Sequence, residues 1–260
     1  MRAFTRTLLS VLVIMGGAQM ARAADTIIIV GVVGSSDAYA GDVILRQAYR
    51  RLGIDLKIRK LPAERALRLA DSGQVDGEVQ RIDAIRHVYK NLVQIRPAIN
   101  FLEAAVFTGS KNFPVEGWES LRPYRIGIIR GIKFAEANTT GMRRYIASGY
   151  DALFRMLNNG SLDVGVVPRI NGLWHQIISG SDRIHELRPP VTRFKLYHYL
   201  HKKNRNLVPM ISKVLAEMDV SGELLTIRNH VNAVLIDLAR KGPPGCEKDF
   251  RCFETGLPAN

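Results

Sequence analysis

The chain has 260 residues with a formal net charge of +13, and 47% of its residues are hydrophobic. This composition is ordinary for a globular protein, and the length allows one large domain or two small lobes. Beyond the N-terminus, no segment approaches the roughly 18 apolar residues that a transmembrane helix needs, so no stable membrane insertion is expected.

The N-terminus has the organisation of a secretory signal peptide. Arg2 and Arg6 form its basic start, and residues 8–19 form an apolar core too short for a comfortable bilayer span. Small residues at Ala21 and Ala23 fit a cleavage site; the alternative is an N-terminal membrane anchor. Cleavage of residues 1–23 predicts a periplasmic protein of about 237 residues, with 34 basic and 24 acidic side chains and a net charge near +10.

That charge has two interpretations. It attracts anions, acidic lipid head groups or cell-wall polymers over roughly a Debye length, or it serves solubility alone. No nucleic-acid motif is present, and an exported protein seldom meets nucleic acid, so no such partner is expected.

A first series of strands and helices follows. The apolar run TIIIVGVVG predicts a buried parallel strand that ends in a polar loop at residues 35–38. Helical spacing over residues 39–52 ends at Gly53, and Pro62 suits the first turn of another helix. The further elements predicted here are a strand at 54–59, a helix to about Asp71, a strand at 75–79 followed by Arg81, a short helix at 82–87, a strand at 92–95 and an extended segment at 101–108.

A second series begins after the Pro/Gly-rich break KNFPVEGWESLRPY. Alternating strands and helices predict an α/β protein with mainly parallel sheets, and two series joined by extended crossings predict two lobes with a hinge. The predicted elements are strands at 125–129, 142–146 and 162–167, a helix opened by Gly131, helices at 150–158 and 168–178, an extended segment at 194–201, and closing helices at 206–219 and 222–238.

Several stretches together resemble the amino-acid-type (family 3) periplasmic solute-binding proteins over roughly residues 25–238. They are RALRLADSGQVDGEVQR, YKNLVQI, IGIIRGIKFAE, LFRMLNNGSLDVGVV and YHYLHKKNRNLVPMISKVLAEMDVSGELLTI. No single motif is strong, but their order and spacing are fairly specific.

The resemblance implies the type II periplasmic-binding fold, an α/β protein of two lobes, each a mainly parallel sheet flanked by helices, joined by two hinge crossings. We expect a first lobe of residues 24–106 and 201–240, a second lobe of residues 107–200 and a tail of residues 241–260. The resemblance also implies a ligand enclosed between the lobes by hinge closure and delivered to an inner-membrane ABC-type permease. We expect the protein to be a monomer.

Three departures from the family argue against an ordinary α-amino acid as the ligand. The loop EVQRIDAIRH lacks the Ser/Thr residues of relatives that grip a ligand carboxylate, leaving Arg81 and Arg86 as substitutes. The family's Gly-Thr-Thr is replaced by Gly131-Ile132-Lys133. The position of the aspartate that holds the ligand ammonium is Pro168.

Nine residues are predicted to bind the ligand: Ser35, Ser36, Asp37, Tyr39, Arg65, Arg81, Arg130, Gly131 and Lys133. A guanidinium such as that of Arg81 can grip a carboxylate or phosphate bidentately, and free N–H groups at a helix start favour an anion. The alternatives are an ion pair of Arg81 with Glu64, Asp76 or Glu78, and a packing role for Tyr39.

Neither a cofactor nor a metal is predicted. The motifs of serine hydrolases, P-loop proteins and zinc peptidases are absent from the sequence. His198 and His201, three apart on an extended segment, would face opposite sides of a strand. The two cysteines, Cys246 and Cys252, favour a local disulfide in an exported protein.

Three functions are consistent with these patterns. The first is a non-catalytic periplasmic protein that binds a small polar solute, anionic or amino-acid-like. The second is a sensory or accessory module on the same fold. The third is an exported enzyme on this fold, which would need Glu64, Glu78 or Glu103 in the cleft.

Overall fold

The computed structural model describes residues 26–33, 35 and 37–241. The predicted signal peptide, Ser36, and Cys246 and Cys252 with their predicted disulfide lie outside the described residues.

Strands and helices alternate along the described chain. The strands are β1 Thr26–Val32, β2 Asp55–Leu61, β3 Gly77–Ile82, β4 Leu92–Gln94, β5 Asn100–Thr108, β6 Ile126–Ile129, β7 Arg144–Ala147, β8 Val164–Pro168 and β9 His185–His201. The α-helices are α1 Ala38–Arg51, α2 Ala63–Asp71, α3 Lys133–Asn138, α4 Tyr150–Asn158, α5 Arg169–Ile178, α6 Val208–Val220 and α7 Glu223–Lys241. Short 3-10 helices cover Asp83–His87, Trp118–Leu121 and Lys202–Leu207.

The strands follow the order β2-β1-β3-β9-β5-β8-β6-β7, and β4 pairs with β9. Two parallel groups lie at the two ends, β2-β1-β3 and β8-β6-β7. The long strands β5 and β9 run antiparallel to each other and to the groups on either side, so they are the two crossings between the lobes. The predicted fold class, two lobes of mainly parallel sheet joined by two hinge crossings, is confirmed.

Hydrophobic cores lie on both sides of these crossings. One cluster is built from residues between Leu102 and Leu196, around fully buried Phe107 and Ile126. Two others pack β1 against α1, α2, α6 and α7, with fully buried Tyr49 and Leu67 among them. The exact residue boundaries of the lobes stay a prediction. Within the described residues, none of the helices is both long and apolar enough to span a bilayer.

Two of the strands whose bounds differ from the prediction, β3 and β9, matter for the site and the crossings. β3 starts at Gly77 and includes Arg81, which the sequence pattern placed after the strand end. β9 begins at His185, nine residues earlier than predicted. The local sequence disfavours a strand that starts here, because the segment contains two prolines. The register against β5 is irregular where these prolines lie, between Leu187 and Thr192. Pairing with β5 on either side of the irregularity makes this segment extended.

Candidate functional site

A β-bulge in β3 positions the central charged groups of the cleft. Glu78 pairs with Tyr199 and Arg81 with Tyr197, so β3 contains one more residue than β9 over this interval. Residues three apart in a regular strand face opposite sides of the sheet, and one extra residue reverses that relation. The bulge therefore allows Arg81 Nε to lie 3.2 Å from Glu78 Oε1.

This ion pair is buried and incompletely hydrogen-bonded. The side chain of Glu78 is 0% exposed and that of Arg81 is 9% exposed. Arg81 Nη2 donates to the Ala63 carbonyl at 3.0 Å. Both Glu78 carboxylate oxygens and Arg81 Nε lack a hydrogen bond of good geometry among the described residues. Burial raises the pKa of Glu78 to about 7, against the opposing effect of Arg81. At neutral pH, Glu78 is therefore close to its midpoint between the neutral and ionised forms.

The backbone beneath the bulge is held by a buried histidine. His198 Nδ1 lies 2.8 Å from the Glu78 carbonyl oxygen, which only accepts, so Nδ1 carries the proton and donates. The Tyr49 hydroxyl then donates to His198 Nε2 at 2.9 Å. Burial lowers the pKa of His198 to about 4, which keeps the imidazole neutral. His198 thus has a structural role, and the described residues contain no group of three or more His, Cys, Asp or Glu placed to hold a metal.

A cavity of about 50 Å³ lies beside this pair, between the two lobes. Its polar lining consists of Ser35, Asp37, Glu78, Gln80, Arg81 and Lys133. Its apolar lining includes Ile132 and Phe134 of the second lobe and Pro168 at the end of β8. We call this space the cleft cavity. Because Pro168 lies on its wall, the position of the family's ammonium-binding aspartate contributes no charge here.

Asp37 and Asn171 link the lobes on one side of the cleft cavity. Asn171 Nδ2 donates to Asp37 Oδ1 at 2.8 Å, and the Asp37 N–H donates to Asn171 Oδ1 at 2.8 Å. The Asp37 carboxylate also accepts from Ser35 Oγ at 2.5 Å and from Gln80 Nε2 at 3.2 Å. Asn171 is fully buried in α5 and also donates to the Tyr150 hydroxyl at 2.5 Å. A paired amide and carboxylate thus join the loop after β1 to the second lobe.

Gly131 and Lys133 link the lobes on the other side. Lys133 Nζ lies 2.5 Å from Glu64 Oε2, in α2 of the first lobe. Gly131 has a φ of +82°, and a Cβ placed there would lie 2.7 Å from the backbone nitrogen of Glu64. The Gly131 N–H, predicted to favour a ligand anion, donates to Glu136 Oε1 at 2.6 Å. The protein's own carboxylate therefore occupies that donor, and α3 has only six residues.

Three predicted ligand residues lie away from the cleft cavity. Arg65 is exposed on α2, because the helix buries Ala66, Leu67 and Ala70 and turns Arg65 to solvent. Arg130 is exposed and lines a neighbouring cavity of about 460 Å³, which also lies between the lobes and shares Val32 and Ile132 with the cleft cavity. The centre of the Tyr39 ring lies 5.3 Å from Lys60 Nζ, and the ring packs against the first-lobe core. Tyr39 therefore has the packing role that was the alternative to ligand binding. Among the predicted residues, Ser35, Asp37, Arg81 and Lys133 line the cleft cavity, and Gly131 directly precedes Ile132, which is also in the lining.

Sequence reasoning missed Gln80 and Asn171 as site residues and weighed Glu78 only as an ion-pair partner or catalytic acid. Glu78 and Gln80 are polar residues two apart in the strand, separated by the apolar Val79, which is a signal for one polar face. Asn171 sits in a helix with no motif around it, and only the packing of α5 reveals its contact with Asp37.

Comparison with known proteins places this geometry in a known fold. No protein-family model matches the chain. An uncharacterized protein of Shewanella oneidensis is 25% identical over 194 residues, covering 70% of this chain and 71% of the relative.

Solved structures give the clearer likeness. A histidine kinase sensor domain with similarity to periplasmic binding proteins superimposes with a TM-score of 0.67 at 19% identity, covering 79% of this chain and 95% of that chain. The GluR0 ligand-binding core in complex with L-glutamate has a TM-score of 0.67 at 10% identity, covering 80% and 98%. An ancestral arginine-binding protein bound to glutamine has a TM-score of 0.64 at 14% identity, covering 79% and 96%. The chain therefore has the type II periplasmic-binding fold.

Proposed function

We propose that this protein is a non-catalytic periplasmic solute-binding protein that encloses a small polar, anionic or amino-acid-like solute between its lobes. The observation that carries the proposal is the buried Glu78–Arg81 pair on the wall of the cleft cavity. Leaving buried polar atoms without hydrogen bonds costs roughly 1–3 kcal/mol for each group. A solute that supplies an anionic group to Arg81 and a donor to Glu78 removes that cost.

Charges from both lobes support enclosure of a polar solute. Arg81, Glu78 and Asp37 come from the first lobe, and Lys133 comes from the second. Closure removes water from these groups and so strengthens each electrostatic contact with the solute. The cleft cavity of about 50 Å³ holds only a few water molecules, so the lobes must separate for a larger solute to enter.

Export and delivery to an inner-membrane ABC-type permease complete the proposal. Two features support them: the signal-peptide pattern of the sequence, and the likeness of fold to the substrate-binding protein of an amino acid ABC transporter, at 16% identity and a TM-score of 0.61.

A ligand screen tests the binding role. The mature protein is unfolded and refolded to strip any bound solute, and then titrated with amino acids, dicarboxylates, small peptides and phosphorylated solutes. We expect one class to raise the melting temperature and give a saturable calorimetric signal. If no class does either, the proposal fails. A compound that is consumed during the titration would instead support the enzyme hypothesis. That hypothesis requires a carboxylate in the cleft, and Glu78 is such a carboxylate.

A sensory role is the second candidate. It is favoured by the likeness to the histidine kinase sensor domain, at 19% identity and a TM-score of 0.67. Deleting the gene in the source organism separates the two roles. Loss of uptake of the screened solute supports transport, whereas unchanged uptake with a lost cellular response to the solute supports sensing.

A further inference from the structure

A second polar cavity lies at the hinge, on the side of β5 and β9 where α7 packs. It has a volume of about 230 Å³. Its polar and apolar lining includes Arg169, Arg193, Arg228, Asn229, Asn232 and Leu225. We call it the hinge cavity. It shares Asp37, Leu102 and Pro168 with the lining of the cleft cavity, but not Glu78, Arg81 or Lys133.

Two of its guanidinium groups converge on one aromatic ring. The Arg193 guanidinium carbon lies 4.3 Å from the centre of the Phe101 ring, and that of Arg228 lies 5.0 Å from it. Arg193 is opposite Glu103 in the β5–β9 register, which makes it a diagonal neighbour of Phe101. Arg228 is buried in α7 and donates to the Ile99 carbonyl at 3.2 Å. Stacking on Phe101 orders both side chains, so less conformational entropy is lost when a ligand binds them.

Carboxylates lie near Arg193 and Arg228 but outside ion-pair distance: Glu103 is opposite Arg193 on the neighbouring strand, and Asp219 acts electrostatically on Arg228. In the part of the chain that the structure describes, neither forms a salt bridge. Burial lowers the pKa of Arg228, Asp219 opposes this shift and the nearby Arg193 adds to it; the guanidinium nevertheless stays charged. A third cation, Arg169, is balanced, since it lies 2.9 Å from Glu186 and 3.9 Å from Glu103.

Negative charge in the lining is limited to two carboxylates, Asp37 and Glu103, among the described residues. Glu103 faces Arg169. Asp37 already accepts hydrogen bonds from Ser35, Gln80 and Asn171. The lining therefore contains three arginines and two carboxylates, and neither Arg193 nor Arg228 forms an ion pair within the described residues.

We propose that the hinge cavity binds a small oxyanion with several acceptor oxygens, held by Arg193 and Arg228 and by the amides of Asn229 and Asn232. Guanidinium forks present parallel N–H donors that match the oxygens of phosphate and carboxylate. The two amide side chains add donors, and no hydrogen bond within the described residues occupies them. The concave shape and the combination of guanidinium and amide donors suit a small free anion.

Calorimetric titration with inorganic phosphate at constant ionic strength tests the proposal on the full mature protein. We expect saturable binding that weakens about 10-fold in Arg193→Gln, the loss of one charge-assisted contact. Arg193 is exposed, so this variant should fold normally. Arg205→Gln, which removes an exposed arginine outside the cavity, is the matched control and should bind like the wild type.

Two results would overturn the hinge site. One is the absence of saturable phosphate binding by the wild type. The other is a loss of phosphate binding in the double variant Glu78→Gln/Arg81→Met together with normal binding by Arg193→Gln, because phosphate would then bind in the cleft. Since the cleft screen uses other compounds and other residues, failure here leaves the proposed function standing.

Discussion

The cleft cavity and the hinge cavity both contain arginine, but they balance its charge differently. In the cleft, Arg81 is buried against Glu78, and the lobes close over the pair until only about 50 Å³ remains. At the hinge, Arg193 and Arg228 lie on Phe101 without a salt bridge among the described residues, beside about 230 Å³ of open space. A balanced pair favours a solute that brings both a donor and an anionic group, whereas cations without a salt bridge favour a simple anion.

The difference also concerns motion. The cleft is closed by contacts that must break for a solute to enter, between Asp37 and Asn171 and between Lys133 and Glu64. The hinge cavity shares Asp37, Leu102 and Pro168 with the cleft cavity, whereas Glu78, Arg81 and Lys133 line the cleft cavity and not the hinge cavity. Changes at these three residues should therefore alter solute affinity and leave phosphate affinity unchanged.

The largest expected effect comes from neutralising the cleft pair. The double variant Glu78→Gln/Arg81→Met removes both charges together, so neither partner is left buried and alone. We expect the solute found by the screen to bind about 100-fold more weakly, because a charge-assisted contact is worth about 1.5–3 kcal/mol. Calorimetry with that solute measures the loss. Arg65→Gln, on the exposed face of α2, is the control; equal losses in the two variants would contradict the placement of the site.

The pH dependence of stability gives the next largest effect. The pKa of Glu78 is about 7 in the folded protein and lower in the unfolded chain, so the folded state takes up its proton first as the pH falls. Stability from this group is therefore complete below the unfolded pKa and is lost as the pH rises through 7. Relative to Glu78→Gln/Arg81→Met, the wild type should gain about 2 kcal/mol between pH 8 and pH 5.

Urea unfolding of both proteins across this range measures the gain. His198, whose pKa is lowered to about 4, destabilises both proteins as the pH falls below 6.5, so its contribution cancels in the difference. Parallel pH profiles for the two proteins would show that Glu78 does not titrate as described.

Gly131→Ala should interfere with closure itself. A Cβ at this position would lie 2.7 Å from the Glu64 backbone nitrogen and 2.8 Å from the Ala63 Cβ, across the cleft. We expect solute affinity to fall about 10-fold, because the closed state becomes less populated. Gly141→Ala is the matched control, since Gly141 has a similar φ of +77° and open space around its Cβ position. Similar affinities for the two variants would rule out contact across the cleft at Gly131.

Lys133→Met should have the smallest effect. The Lys133–Glu64 ion pair is partly exposed, at 30% and 32% of the side chains, so solvent screens it. We expect about a 3-fold weaker solute affinity, which corresponds to less than 1 kcal/mol. The control, Lys111→Met, removes a comparably exposed ion pair with Asp163 inside the second lobe. A loss as large in the control would mean that the effect is not specific to closure.

Local sequence pattern predicted most of the fold because most elements follow their own periodicity. α4 lies at Tyr150–Asn158 as predicted, and α1 differs from its predicted bounds by one residue at each end. Gly53, with a positive φ, follows the first helix where the sequence predicted its end. These features depend on neighbours in the chain, which the sequence displays directly.

The site was less predictable because it depends on distant contacts. The bulge that brings Glu78 and Arg81 together exists only in the pairing of β3 with β9, more than a hundred residues later in the chain. The same holds for Asn171, whose partner is Asp37. At Gly131, the expected ligand anion was replaced by a carboxylate of the chain itself, Glu136. The sequence shows which residues are charged, but only the tertiary structure shows which group lies beside each charge.

The central claim is that the Glu78–Arg81 pair in the cleft binds the solute. Its most direct test is a crystal structure of the protein with the solute found by the screen. We predict that the solute lies between the lobes, with its anionic group on the Arg81 guanidinium and a donor within hydrogen-bond distance of the Glu78 carboxylate. A solute bound outside the cleft cavity, with the Glu78–Arg81 pair unchanged and uncontacted, would contradict the account.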